Sequence, residues 1–229
     1  LQPWWEIAAL CRKEGVLFHT DAAQWVGKLD AAGLGECDFV TGSAHKFGGP
    51  KGCGFLVLPG ETSRLGFLRG GPQESGRRAG TENYPAVEAM VAALEEITPR
   101  LSGIQKDQER LRDEFIVGMR ACFGDLRVIS EAAPRLWNTV LMVMPAHDNL
   151  KWLTRLSRRG FSISTGSACS SGKEGSSVVV TALGATPDEL KRVVRVSGGW
   201  ETTAEDWQAL AAAFAEVFGE LNSGGKGAV

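Results

Sequence analysis

A lysine set just behind a hydroxyl and an imidazole is the first feature of this sequence able to do chemistry. It lies in Ser43-Ala44-His45-Lys46-Phe47-Gly48-Gly49-Pro50-Lys51-Gly52, directly after the apolar run Asp38-Phe39-Val40-Thr41-Gly42. Desolvation disfavours an ammonium, so a lysine buried at such a place loses proton affinity and becomes a candidate for Schiff-base chemistry. Ser43 and His45 supply donors that could hold a phosphate beside it. Upstream, Val16-Leu17-Phe18-His19-Thr20 reads as another buried strand, ending in Asp21-Ala22-Ala23-Gln24. An acid at the end of one parallel strand and a lysine at the end of a later one suit pyridoxal phosphate. The aspartate then faces the pyridinium nitrogen and the lysine the aldehyde. Taken singly, Lys46 reads as a solvated loop lysine and Asp21 as a helix cap; the combination changes the reading.

Cys169 is the second such residue. Free cysteines are mostly buried and inert, but Thr165-Gly166-Ser167-Ala168 and Ser170-Ser171-Gly172-Lys173-Glu174-Gly175 contain no large apolar residue to anchor a core. A small, polar, glycine-punctuated loop is expected to be mobile and to present a nucleophilic thiol. Cys11, Cys37, Cys53 and Cys122 fall on helix faces or strand edges and read as packing residues.

Together these stretches resemble the class-V aminotransferase group of fold-type I pyridoxal-phosphate enzymes, and within it the sequence is similar to the cysteine desulfurases. His19-Thr20-Asp21-Ala22-Ala23-Gln24 and the lysine segment 43–52 stand at the group's spacing. Ser164-Thr165-Gly166-Ser167-Ala168-Cys169-Ser170-Ser171-Gly172 matches its catalytic cysteine loop. Gly76-Arg77-Arg78-Ala79-Gly80-Thr81-Glu82-Asn83 and Arg195-Val196-Ser197 match two further motifs. The resemblance implies an α/β fold: the C-terminal portion of a large, mainly parallel-sheet cofactor domain over residues 1–100, then a small α/β domain over 101–229 carrying the cysteine loop.

It implies pyridoxal phosphate as cofactor, with Asp21 at the ring nitrogen, Gln24 at the phenolic oxygen, Ser43 and His45 at the phosphate and Lys46 at the aldehyde. Thr81 would reach the phosphate of the partner subunit in a homodimer. Arg195 would take the substrate carboxylate through a bidentate fork that lysine cannot reproduce. The implied reaction converts L-cysteine to L-alanine and leaves a persulfide on Cys169. Its sulfur passes to an acceptor protein, such as an iron–sulfur scaffold, or into tRNA thiolation. A selenocysteine lyase or a class-V transaminase shares most of this pattern, although a transaminase needs no nucleophilic cysteine. The rival of another class is a non-catalytic fragment that binds a sulfur-acceptor partner. Members of the group carry, ahead of the point where this sequence opens, an aromatic residue stacked on the cofactor and a phosphate-binding turn. Neither is found here, so the chain is expected to be the C-terminal part of a longer enzyme.

Composition narrows the remaining classes. The 229 residues are 43% hydrophobic and 23% charged, ordinary for a soluble globular protein. A formal net charge of −2 offers no basic footprint for nucleic acid. There is no apolar run long enough for a membrane helix, and no signal peptide opens the sequence. The five cysteines are scattered without CxxC pairing, which argues against zinc, any other metal site and a disulfide framework. A reducing, cytoplasmic compartment fits best. Gly48-Gly49-Pro50-Lys51-Gly52 lacks the Gly-x4-Gly-Lys-Ser/Thr of a nucleotide-binding loop.

The elements that must position these residues alternate. Residues 3–14 read as an amphipathic helix ended by Gly15, with Trp4, Ile7, Ala8 and Cys11 on one face. Strands are expected at 16–20, 38–42 and 54–58, and the continuous apolar runs predict a parallel sheet covered on both sides. From Tyr84 helical spacing runs with interruptions through Met119. Strands at 126–130 and 139–144, a helix over 148–159 and a short strand at 161–164 lead to the cysteine loop. Thr186-Pro187-Asp188-Glu189 is a capping box; 193–197 is strand-like, and a final helix opens at Thr203. The glycine-rich stretch 222–229 reads as disordered.

Overall fold

The computed structural model describes residues 1–60, 66, 68–165 and 178–223. They form two compact units, residues 2–105 and residues 106 onward.

The first unit opens with α1 (Trp4–Lys13). Its end is legible in the sequence: Gly15 adopts φ 64°, a conformation that costs a side-chain-bearing residue. There the Gly15 and Val16 N–H groups donate back to the Arg12 and Cys11 carbonyls at 3.2 and 2.8 Å, a Schellman closure. β1 (His19–Asp21) follows, and pairs in parallel with β2 (Phe39–Ser43), Asp21 opposite Thr41. β1 starts later than the expected residue 16. Phe18 donates its N–H to the Asp38 carboxylate at 2.8 Å and accepts from Phe39 through its carbonyl. That anchors the register at this residue and leaves Val16 and Leu17 exposed. β3 (Gly54–Val57) completes the sheet but runs antiparallel to β2, because the short 44–53 connection reverses the chain. Leu56 and Val57 are exposed, so the expected burial of both sheet faces is not met among the described residues. The core gathers Ala8, Ala22, Val26, Val40, Ala44 and Phe47, with Met90 from α2 (Tyr84–Ile97). Asn83 caps α2, its side chain accepting from the Ala86 N–H.

The second unit is built on an antiparallel sheet of β4 (Arg127–Val128), β5 (Thr139–Val143) and β6 (Val193–Ser197). One face packs on α3 (Leu101–Cys122), α4 (Asn149–Ser157) and α7 (Ala204–Ser223). There Val140, Met142, Val194 and Val196 meet Met119, Trp152, Leu156 and Phe214. The other face carries Val143 and Val193 against Val180 of α5 (Val178–Ala182) and Ala185. Side chains alternate across a strand, so Arg195 shares this second face. The capping box forms as read and opens α6 (Pro187–Leu190), the Glu189 N–H donating to Thr186 at 3.2 Å and the Thr186 N–H to Glu189 at 2.8 Å. α7 continues to Ser223, past the expected start of the tail; residues 224–229 lie outside the described set.

Candidate active site

Asp21 and Ser43 are the last residues of β1 and β2, so both sit at the carboxyl end of the parallel pair, where open α/β sheets place their ligands. The Asp21 Oδ1 accepts the Ala23 N–H at 3.0 Å, which orients the carboxylate and leaves Oδ2 without a partner among the described residues. Ser43 Oγ lies 3.0 Å from His45 Nδ1, so the two phosphate candidates are already one polar pair. Gln24 is exposed on the turn that follows β1. A polar pair that sequence reasoning gave no part lies beside them: His19 Nε2 and Thr41 Oγ1, 2.7 Å apart.

Lys46 sits between two fixed points. Ala44 is fully buried and Phe47 nearly so; the Ala44 carbonyl accepts the Phe47 and Gly49 N–H groups at 3.1 and 2.9 Å. Between these anchors the Lys46 side chain is exposed, which corrects the expectation of a buried lysine. The strongly turned backbone of Ala44–Lys46 directs consecutive side chains apart, so burying Ala44 and Phe47 turns Lys46 outward. The buried lysine of this region is Lys28, 7% exposed, whose ammonium donates to the Lys46 carbonyl at 3.0 Å. Burial first, and the neighbouring Lys46 charge second, pull its pKa down to about 8. Nothing local in Trp25-Val26-Gly27-Lys28 announced this; a lysine following a turn glycine ordinarily reads as solvated.

Thr81 is exposed in the stretch before α2. In the second unit, Arg195 is half-buried in the middle of β6, and its guanidinium has no partner among the described residues. Its backbone forms an antiparallel bridge with Ser164, N to O distances 2.7 and 3.0 Å. The arginine is therefore hydrogen-bonded to the root of the segment that leads to Cys169. The bridge is a single one, where a short strand over 161–164 was expected. Cys169 itself, with the rest of 166–177, lies outside the described residues. Of the other cysteines Cys37 is buried and Cys11 and Cys53 are half-buried, but Cys122 is exposed and does not pack as expected.

The family model for class-V aminotransferases matches residues 1–210. The chain belongs to the class-V aminotransferase family. Among curated members, a cysteine desulfurase of Rhodobacter capsulatus is 41% identical over 94% of this chain and 56% of its own length. One from Klebsiella pneumoniae is 39% identical over 80% of this chain and 46% of its own length. Among solved structures, a NifS-like protein from Rickettsia africae superposes with a TM-score of 0.84 at 28% identity, covering 96% of this chain and 58% of that one. Another NifS-like protein gives 0.85 at 26% identity, over 96% and 57%. The chain thus spans about half the length of the relatives it matches, and the α/β fold expected from the family resemblance is borne out.

The residues present fit pyridoxal phosphate in kind. An oriented carboxylate with a spare oxygen, an exposed amine and a hydroxyl–imidazole pair stand at the ends of two adjacent strands, the donor set that a ring nitrogen, an aldehyde and a phosphate require. Among the described residues no cluster of His, Cys, Asp and Glu could hold a metal ion, and no helix is long and apolar enough to cross a membrane.

Proposed function

We propose that this chain carries the cofactor lysine and the sulfur-accepting cysteine of a pyridoxal-phosphate-dependent cysteine desulfurase. Residues 1–100 would belong to the cofactor domain and 101–229 to the small domain. The reading rests on one observation above the rest: Lys46 projects from between two anchored residues at the strand ends where Asp21 and the Ser43–His45 pair also finish.

Bound there, pyridoxal phosphate supplies an electron sink for the carbon skeleton of the substrate. Asp21, held by Ala23, keeps the ring nitrogen protonated, and Gln24 donates to the phenolic oxygen. Ser43 and His45 hold the phosphate, with Thr81 arriving from a second subunit. Lys46 would hold the aldehyde carbon and would serve as the acid and base that moves protons between substrate atoms. Arg195 pairs its fork with the substrate carboxylate. The Cys169 thiolate attacks the substrate sulfur. A sulfur–sulfur bond forms as the substrate carbon–sulfur bond breaks, and a returned proton completes L-alanine. The outer sulfur on Cys169 is then passed to an acceptor protein, and the scattered cysteines, unpaired among the described residues, suit a reducing compartment such as the cytoplasm.

Two measurements test the reading. Borohydride reduction with pyridoxal phosphate, followed by peptide mapping, is expected to label Lys46. L-Cysteine is expected to leave one extra sulfur on Cys169, seen by mass spectrometry, together with alanine. Cys169→Ser should keep the Lys46 label and lose the persulfide, because an alcohol is a far weaker nucleophile at neutral pH. Label on Lys28 or Lys51, or undiminished alanine and sulfide from the Cys169→Ser protein in a single turnover, refutes it.

A further inference from the structure

We propose that Lys28 is the positioning residue of the Lys46 site, its buried ammonium clamping the Lys46 carbonyl so that the amine leaves the backbone in one direction. The proposal rests on the reading of Lys46 as the cofactor lysine. It is carried by geometry on both sides of the contact. Lys46 cannot hold its own direction, since its side chain is exposed and has no partner among the described residues. What fixes it must act on the backbone. The Ala44–His45 and Lys46–Phe47 peptide units are tied together by the Phe47 N–H on the Ala44 carbonyl, which the Gly49 N–H also reaches, and the Lys46 carbonyl is held by Lys28 at 3.0 Å.

The turn that brings Lys28 there is shaped for the task. Residues 22–29 coil through hydrogen bonds from Trp25 and Val26 to the Ala22 carbonyl and from Lys28 and Leu29 to the Trp25 carbonyl. Gly27, at φ 73°, lies so close to Phe47 that a Cβ on it would stand 2.2 Å from the Phe47 Cβ. Consecutive residues of one turn thus press on consecutive residues of the lysine loop: Gly27 on Phe47, Lys28 on Lys46. Burying an ammonium is costly, and a chain needing only to fill this space would do better with methionine. A cation at this contact gives the carbonyl a charge-assisted donor, stronger than a neutral one. Its charge also stands beside the Lys46 ammonium, the interaction that, after burial, draws the Lys28 pKa down.

The test compares wild type, Lys28→Met and Lys28→Gln by two readouts. Hydrogen exchange of the 44–49 amides is measured without cofactor, and the rate of reductive trapping of pyridoxal phosphate at Lys46 is measured with it. Lys28→Met is expected to speed exchange at 44–49 about fivefold or more while the β1 and β2 amides keep their rates, and to slow trapping about tenfold. Lys28→Gln retains a neutral donor and should fall between the two. Unchanged exchange in Lys28→Met overturns the proposal, as does an increase spread evenly over residues 2–105. Failure of both variants to fold also overturns it, since Lys28 would then support the whole unit. If the wild-type protein takes no label at Lys46, the functional reading fails, while the exchange measurement still decides whether Lys28 holds the loop.

Discussion

Lys28 also makes this protein's stability respond to alkali in a way that can be signed. Its folded pKa lies near 8, against 10.5 for the ordinary side chain. Between these values the unfolded chain binds more protons at this position than the folded one, so stability rises with pH across that window. The cost of the buried charge is complete below about pH 8 and gone above about pH 10.5. The separation corresponds to roughly 3 kcal/mol. Denaturant unfolding at pH 7.5 and pH 10 should therefore show a gain in the wild type that Lys28→Met lacks. A difference between the two proteins that stays constant with pH would show that Lys28 keeps an ordinary pKa in the fold.

Among elements, the turn over residues 22–29 packs directly on the lysine loop, and Gly27 and Lys28 are where they meet. Gly27→Ala places a side chain in the left-handed region and against Phe47, and should cost roughly 3 kcal/mol from strain and overlap together. Chemical denaturation reads this directly; a loss below about 0.5 kcal/mol, the range of ordinary surface changes, would mean that the loop moves aside freely. This junction was hidden in the sequence, whereas other elements were legible. The Schellman end at Gly15 and the Thr186–Glu189 capping box depend on residues three to five apart, so their chemistry is written locally. β5 and β6 were legible as strands, but their nearly continuous apolar runs did not mark which face meets the core. The start of β1 was missed because Val16 and Leu17 have strand-forming side chains, while the register is set by Asp38 and Phe39 from far along the chain. Asp21, Ser43, His45 and Lys46 were proposed from residue type, and the structure puts Asp21 and Ser43 at strand ends with His45 and Lys46 just beyond. The exposure of Lys46 and the burial of Lys28 were not legible, because burial depends on which distant turn folds over which loop.

For the whole molecule, the expected cofactor contacts Asp21, Gln24, Ser43, His45 and Lys46 all fall in the unit of residues 2–105. Adding pyridoxal phosphate should thus slow amide exchange at 22–24 and 43–49 about tenfold or more and leave β4, β5 and β6 unchanged. Protection spread equally over both units would refute this assignment of the contacts. The 2.2 Å approach at Gly27 also bears on how such a chain can diverge. The overlap is with the Phe47 Cβ, an atom that every residue but glycine carries, and Gly27 already stands at φ 73°. No exchange of the aromatic ring at position 47 for another side chain therefore opens position 27; only a shift of one backbone away from the other does. Phe47 adjoins Lys46, so a bare position on a distant turn restricts the path of the main chain beside that amine while leaving the ring at 47 free to vary.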